Sequence, residues 1–375
     1  MLSPTTPFPM AGYFGNKYFC DRESEKNDII RNFKSGVSTT LVSLRRLGKT
    51  ALINHVGNNL TKGSLFLYID IQATGNLNDF LNLLAAAVVH SVPEKSSFGK
   101  KVLGFFHSLR PVMSFNQLTG SPEFTFDIQY KEVKAGVEGI INLLENHNER
   151  VLIAIDEFQQ IIDYPEDKTD AWLRGIIQKL KNVSFIFSGS KQHIMTELFN
   201  HPSKPFYRST NLLKLEKISE HHYSSFIKEK FTENKMRVTD EVVKEILEWT
   251  ERYTYYVQLL CGRVYLRNER KIITDSWKEE AYKLLKEQEP VFYNFRELLT
   301  SPQWTLLKAI ARENQVTSPT AKDFISEYKL GSSAAVLRSL NSLVEKEMVY
   351  YDFNEQGEKY YKVYDLLLKK WLEQI

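Results

Sequence analysis

The stretch VSLRRLGKTAL, Val42 to Leu52, is where the reading of this chain turns. It ends as a phosphate-binding loop ends. The pattern of such a loop is G-x-x-x-x-G-K-[ST]. Gly48, Lys49 and Thr50 fill its last three places, and Ser43 stands where the first glycine belongs. A phosphate cradle needs convergent backbone N–H groups, a helix N-terminus behind them, a lysine for the terminal phosphates and a hydroxyl for Mg2+. Lys49 and Thr50 supply the last two. The N–H donors come from Arg45, Arg46, Leu47, Gly48, Lys49 and Thr50, with Ala51 next in the helix. A serine at 43 therefore alters the turn more than the cradle, and it fits if its φ is negative. G-K-T also occurs by chance, so the flanks must decide.

The flanks agree with a working loop. STTLVSL (Ser38–Leu44) is short and β-branched, as a buried parallel strand is, and TALINHVGNNL after the loop has helical periodicity. Downstream, VLIAIDEFQQI is an apolar run that ends in Asp156 and Glu157. A carboxylate at the end of a buried strand is costly unless something pairs with it. Mg2+ beside the phosphates is a natural partner for Asp156. Glu157 then stands to orient or deprotonate an attacking water. The alternative is a structural acid pair that caps the next helix. A third strand, SFIFSGS, brings Ser188 and Ser190 to the same sheet edge. Either serine could sense a γ-phosphate; equally, both could do no more than begin a turn.

The rest of the chain alternates in the same way. A helix is expected from FCDRESEKNDIIRNF, with Asp21 as its cap and Ile29, Ile30 and Phe33 buried. SLFLYIDI and RVLIAIDEF read as strands; LNDFLNLLAAAVVHSV, KEVKAGVEGIINLLENH and AWLRGIIQKLK read as helices. That alternation predicts an α/β core with a parallel sheet. The first ten residues, with three prolines, read as a loose arm, and Pro93–Gln129 as an insertion of weak structure. From about Asn211 the strands stop and a helical piece follows. The last eighty or so residues read as three helices and a hairpin around Gly357, the order of a winged helix. The expected parts are residues 11–210, an α/β core; 211–288, a helical lid; and 289–375, a winged helix.

Nearly the whole length resembles the archaeal-type ATPases, a family of P-loop proteins related to AAA+ and to the STAND NTPases. The resemblance rests on FCDRESE, similar to F-x-x-R-E-x-E, and on SLRRLGKTAL, VLIAIDEF, FIFSGS and the closing YKVYDLLLKKWL. It implies ATP and Mg2+ as ligands. Lys49 would hold the β/γ-phosphates, Thr50 Mg2+, Asp156 Mg2+ through water, and Glu157 the reacting water. Arg22 matches the arginine near the adenine pocket, although a solvated helix-start arginine accounts for it as well. Arg208, in KPFYRST, stands where such proteins often have an arginine close to the nucleotide; a plain surface arginine is an equal reading. One segment departs from the pattern. WTERYTYYVQLLC aligns with T-G-G-x-P-Y-Y, with Glu251 and Arg252 replacing the glycines and Thr254 the proline.

Composition limits the partners. A net charge of +3 on 375 residues does not by itself imply nucleic acid or an acidic membrane. The two cysteines lie far apart without metal-ligand spacing, and no signal peptide or membrane helix is visible, so a cytoplasmic protein is expected. In the winged helix the candidate recognition helix is Ser332–Lys346. Val336, Leu337, Leu340, Leu343 and Val344 make its expected buried stripe, with Ser333, Ala335, Arg338, Ser339 and Ser342 outward. From Phe292 onward, eleven Lys/Arg face eleven Asp/Glu, and DFNEQGEK in the hairpin is acidic. Phosphate contacts supply most non-specific affinity, so this domain is poorly built for DNA. The expectation is an ATP- and ADP-binding regulatory switch, an Mg2+-dependent ATPase that signals to a protein partner. The alternatives are an ATP-dependent DNA-binding regulator and a nucleotide-bound scaffold that does not hydrolyse. No acceptor-site motif supports a small-molecule kinase.

Overall fold

A computed structural model describes residues 4–10, 12–93, 95–108, 112–115, 122–125 and 130–374, with side chains outside 107–131. The chain divides into two compact units, Met1–Asn234 with Leu247–Gly262, and Lys235–Ile246 with Arg263–Ile375. Residues 211–288, expected as one helical lid, are distributed over both.

In the first unit, α1 (Glu23–Lys34), β1 (Thr39–Val42), α2 (Lys49–Asn58), β2 (Ser64–Asp70) and α3 (Leu77–Ser91) follow the expected alternation. The stretch Pro93–Gln129 holds more structure than expected. It contains α4 (Ser97–Ser108) and a hairpin of β3 (Val112–Phe115) and β4 (Pro122–Thr125); Pro111, 116–121 and 126–129 lie outside the described residues. Next come α5 (Tyr130–Glu145), β5 (Arg150–Asp156), α6 (Thr169–Ile177), β6 (Val183–Gly189) and α7 (Gln192–Asn200). The strands do not stop at Asn211: β7 (Asn211–Lys214) adds itself to β1 before α8 (Glu220–Glu233) begins.

Five strands form one sheet in the order β2-β5-β6-β1-β7, every pair parallel. The fold is mixed α/β. All of β6 and all but Arg150 of β5 are buried, as strands covered on both faces must be. Most of β7 is exposed, as suits an edge. Asp21 does not cap α1: the cap position is Arg22 in a left-handed conformation, and the Asp21 carboxylate pairs with His222 instead. Ile29 and Phe33 are buried as expected, and Ile30 only partly. The N-terminal arm is not wholly loose. Phe8 is fully buried, its ring 5.1 Å from Phe231 and 6.3 Å from Phe226 on α8. A proline-rich composition hides one large apolar anchor, and that side chain ties the arm down.

The chain then passes through β8 (Arg237–Val238), α9 (Asp240–Trp249), α10 (Thr254–Leu266) and β9 (Lys271–Ile272). The second unit pairs β8 with β9 and continues into α11 (Thr274–Glu297). This helix carries Pro290 in its interior, so the boundary expected between residues 288 and 289 falls within a helix. The expected winged helix follows: α12 (Ser301–Arg312), α13 (Lys322–Tyr328), α14 (Ser333–Glu345), the antiparallel pair β10 (Val349–Phe353) and β11 (Lys359–Val363), and α15 (Leu366–Leu372). Gly357 turns the hairpin at φ 78°. The buried face of α14 is Val336, Ser339, Leu340 and Leu343, whereas Leu337 is 50% exposed. Helical phase, not apolarity, decides which of these residues face inward.

Candidate functional site

Parallel pairing of β5, β6 and β1 brings their C-terminal ends side by side. The loop leaves β1 at Ser43. This serine is wholly buried, its φ is not positive, and its hydroxyl donates to Leu44 O at 3.0 Å. The left-handed turns fall instead at Arg46 (φ 69°) and Gly48 (φ 88°). The missing first glycine is thus at a position that does not need one. Position 48 does: besides its φ, a Cβ there would lie 3.4 Å from the Thr254 methyl.

The loop is tied to α10. Thr254 Oγ1 donates to Leu47 O at 3.0 Å, and Tyr255 N donates to Arg46 O at 3.0 Å. The Arg46 guanidinium lies over the rings of Tyr255 and Tyr256 and donates to the Tyr256 hydroxyl. These contacts support the uncommon backbone of Arg46.

Lys49 begins α2, is 7% exposed, and meets two carboxylates at once. Its Nζ lies 3.0 Å from Asp156 Oδ1 and 3.0 Å from Glu157 Oε1. Asp156 is 1% exposed and accepts from Ser188 Oγ (2.6 Å), Thr50 Oγ1 (2.7 Å), Tyr68 OH (3.2 Å) and its neighbour's N–H (3.0 Å). Burial pushes its carboxyl pKa up, but the Lys49 charge and the Ser188 and Thr50 hydrogen bonds outweigh that and hold it below the ordinary range. Glu157 has the same balance: burial raises it, and Lys49, Gln159 and Ser190 bring it below. Gln159 Nε2 reaches Glu157 Oε2 at 2.5 Å, and Ser190 Oγ reaches it at 2.8 Å. Gly189 leaves room for this, since a Cβ there would sit 2.2 Å from Gln159 Oε1. Burial, and next the Asp156 charge, push the Tyr68 phenol up, so it stays protonated and donates.

A divalent ion of the Mg2+ kind takes few protein oxygens and keeps several waters. Thr50 Oγ1 and Asp156 Oδ2, 2.7 Å apart beside the N-terminus of α2, are a donor pair of that kind, so the residues fit. Among the described residues, no group of three or more His, Cys, Asp or Glu side chains forms a metal site, which leaves water and phosphate to complete such a shell.

Next to the loop opens a cavity of about 330 Å³. Arg45, Arg46, Leu47, Gly48, Lys49, Thr50, Ala51 and Glu157 form one end. Tyr13, Phe14, Phe19, Ile218 and Gln258 line the rest. The aromatic wall is fixed from behind: Phe19 stacks on buried His55 at 4.1 Å, and Tyr13 OH lies 2.8 Å from His55 Nδ1. Arg22 also lines the cavity; it is 4% exposed and donates to Glu25 (2.7 Å) and Leu47 O (3.3 Å). It is not a solvated arginine. Two named residues lie elsewhere. Ser188 is buried beneath Asp156 and does not line the cavity, while Ser190 does and is also bonded by Arg45 Nε at 3.3 Å. Arg208 is exposed, stacks on adjacent Tyr207, and is not a lining residue. Tyr68, Gln159 and Gln258 were not anticipated. Alternation along β2 puts Tyr68 on the face of Asp70, which could have pointed to it, but a glutamine carries no comparable signal.

A family model for an ATPase domain predominantly from Archaea matches residues 19–260, well over half of the chain. The chain belongs to the archaeal-type ATPase family. A second model, a probable winged helix domain, matches residues 290–374. No curated protein sequence matches this archaeal-type ATPase. Among solved structures, the Walker-type ATPase PABY2304 of Pyrococcus abyssi is similar with a TM-score of 0.67 at 16% identity, covering 99% of this chain and all of that one. The Aeropyrum pernix ORC2 protein, in ADPNP and ADP complexes, gives 0.59 at 12% identity over 94% of this chain and 92% of its own. The Aeropyrum pernix ORC1 protein in complex with DNA gives 0.51 at 13%, over 95% and 93%. At such identities these likenesses show the fold. The departing segment of this ATPase is left-handed at Glu251 (φ 47°) and Arg252 (φ 57°), where the family pattern has glycine. Lys217 lies 3.7 Å from the Glu251 carboxylate, and Arg252 donates to Ile218 O at 3.4 Å.

Proposed function

We propose that this ATPase binds ATP with Mg2+ in the cavity beside Lys49, hydrolyses it, and signals its nucleotide state to a protein partner. One observation carries the reading: a buried lysine at a helix N-terminus, shared by two carboxylates, with a hydroxyl beside one of them. On binding, Lys49 exchanges carboxylate partners for phosphate oxygens, and the amides of Arg45 to Thr50 take the remaining charge. Mg2+, when bound at Thr50 and Asp156, neutralises charge on the phosphates. Glu157, released from Lys49 and still held by Gln159 and Ser190, orients water for attack. Because α10 grips the loop and its last residues belong to the second unit, a change at the loop has a covalent route onward. It acts as a switch only as far as ATP and ADP differ in affinity for two states. Calorimetry tests the binding: micromolar ATP affinity, lost in Lys49→Ala, is expected. Turnover by wild type that falls at least about a hundredfold in Glu157→Gln supports hydrolysis. ATP binding without turnover would leave the scaffold reading.

The DNA reading has one support, the DNA bound to the similar ORC1 protein. Against it stand the balanced charges from Phe292 onward and an α14 whose exposed face carries Leu337 beside Arg338. An exposed leucine there suits a protein surface better than a phosphate backbone.

A further inference from the structure

The cavity is polar at the loop and largely apolar beyond it, where Met10, Phe14, Phe19 and Ile218 form the wall. Gln258 stands in that wall. It is 7% exposed, and its Oε1 is buried with no hydrogen-bond partner among the described residues. An amide oxygen buried in this state is unfavourable, and a half-turn of the side-chain amide, which exchanges Oε1 and Nε2, relieves it when a ligand in the cavity offers a donor.

Its place on α10 shows which part of a ligand it meets. Thr254, Gln258 and Gly262 are spaced by four and share one helix face. Thr254 grips the loop, and a Cβ on Gly262 would lie 3.5 Å from Phe8 O. The face therefore runs from the phosphate end to the N-terminal arm, with Gln258 one turn, about 6 Å, beyond the loop contact. A ligand whose phosphates occupy the loop presents its base there. Aromatic walls stack on any base, so they do not choose among bases. A side-chain amide does choose.

We propose that Gln258 is the residue that selects adenine, an inference that rests on the nucleotide reading above. Oε1 accepts from the 6-amino group while Nε2 donates to N7, the paired contact by which glutamine recognises adenine. A 6-oxo purine presents acceptors at both O6 and N7, so Oε1 stays unmatched whichever way the amide is turned.

Calorimetry with the Mg2+ salts of ATP and ITP, which differ in having a 6-amino or a 6-oxo group, tests this on the full chain. Wild type should prefer ATP by about tenfold or more. Gln258→Leu and the more flexible Gln258→Met should each weaken ATP by about that factor and leave ITP unchanged, which brings the ratio close to one. Equal affinity of wild type for the two nucleotides overturns the proposal, and so does a variant that weakens both alike. If either variant misfolds, the wild-type ratio and the other variant still decide. Absence of any nucleotide binding, or binding indifferent to Lys49→Ala, would instead remove the nucleotide site itself, and this proposal with it.

Discussion

Lys49 stabilises a buried acid, Asp156, and a partly buried one, Glu157, and they stabilise it, so its removal has a pH signature separate from catalysis. In the wild type both carboxyls sit below their ordinary range. A depressed folded pKa gives stability that is complete above the unfolded value near 4 and is lost as pH falls through the folded one. Without Lys49, burial is opposed only by the hydrogen bonds from Ser188 and Thr50 to Asp156 and from Gln159 and Ser190 to Glu157, so both values rise. The stability that the lowered values supply above the unfolded value shrinks with that rise, because two neighbouring negative charges must coexist without their cation. Lys49→Ala should therefore be about 3 kcal/mol less stable than wild type at pH 7, with the gap narrowing steadily toward pH 4. Urea unfolding at several pH values checks this, and a gap constant with pH would show that packing alone was lost. Asp156 and Glu157 were readable because two acids closing an apolar run have few structural uses. Ser188 and Ser190 were not separable in sequence. They occupy alternate positions on one strand end, and only the sheet shows that the first supports Asp156 and the second opens on the cavity.

At the scale of elements, alternation of β-branched runs with amphipathic helices was enough to find β1, β5 and β6, which are almost wholly buried, and the partly buried β2. It missed β7, whose four residues NLLK lack that pattern and lie at an edge. It also missed α4 and the β3-β4 hairpin, where scattered prolines and glycines obscured the period. The turn into α10 is the element that sequence marked as irregular. Its left-handed residues Glu251 and Arg252 carry side chains where glycine fits best, and each leans on the Lys217-Ile218 segment. A β-branched residue is strongly disfavoured in this backbone. Arg252→Val should cost at least about 1 kcal/mol and Arg252→Gly distinctly less, since strain relief offsets the lost contact. Thermal melts of the two variants give the order, and Gly as the worse of the two would show that the Ile218 contact outweighs backbone strain.

For the molecule as a whole, the order of helices and hairpin identified the winged helix, and the charge count described its character. With eleven charges of each sign from Phe292 onward, the winged helix offers little net charge to phosphate, and the full chain should give no measurable anisotropy change with duplex DNA at 0.15 M salt and micromolar protein. A salt-dependent increase, with several counterions released, would favour the DNA regulator. Among the described residues, no helix is long and apolar enough to cross a membrane. Domain limits were less legible, because they do not coincide with changes in composition. The chain passes from one unit to the other after Asn234, returns after Ile246, and leaves again after Gly262. The two halves are thus not separate cassettes. A gene truncated at codon 234 would encode the loop without Thr254, which holds it, and without Gln258. A recombination that exchanged everything beyond that point would import a foreign loop grip along with a new C-terminal half. Descendants of such a shuffle would keep the nucleotide site only if the incoming α10 matched the resident loop, so the grip and the loop are expected to be inherited together.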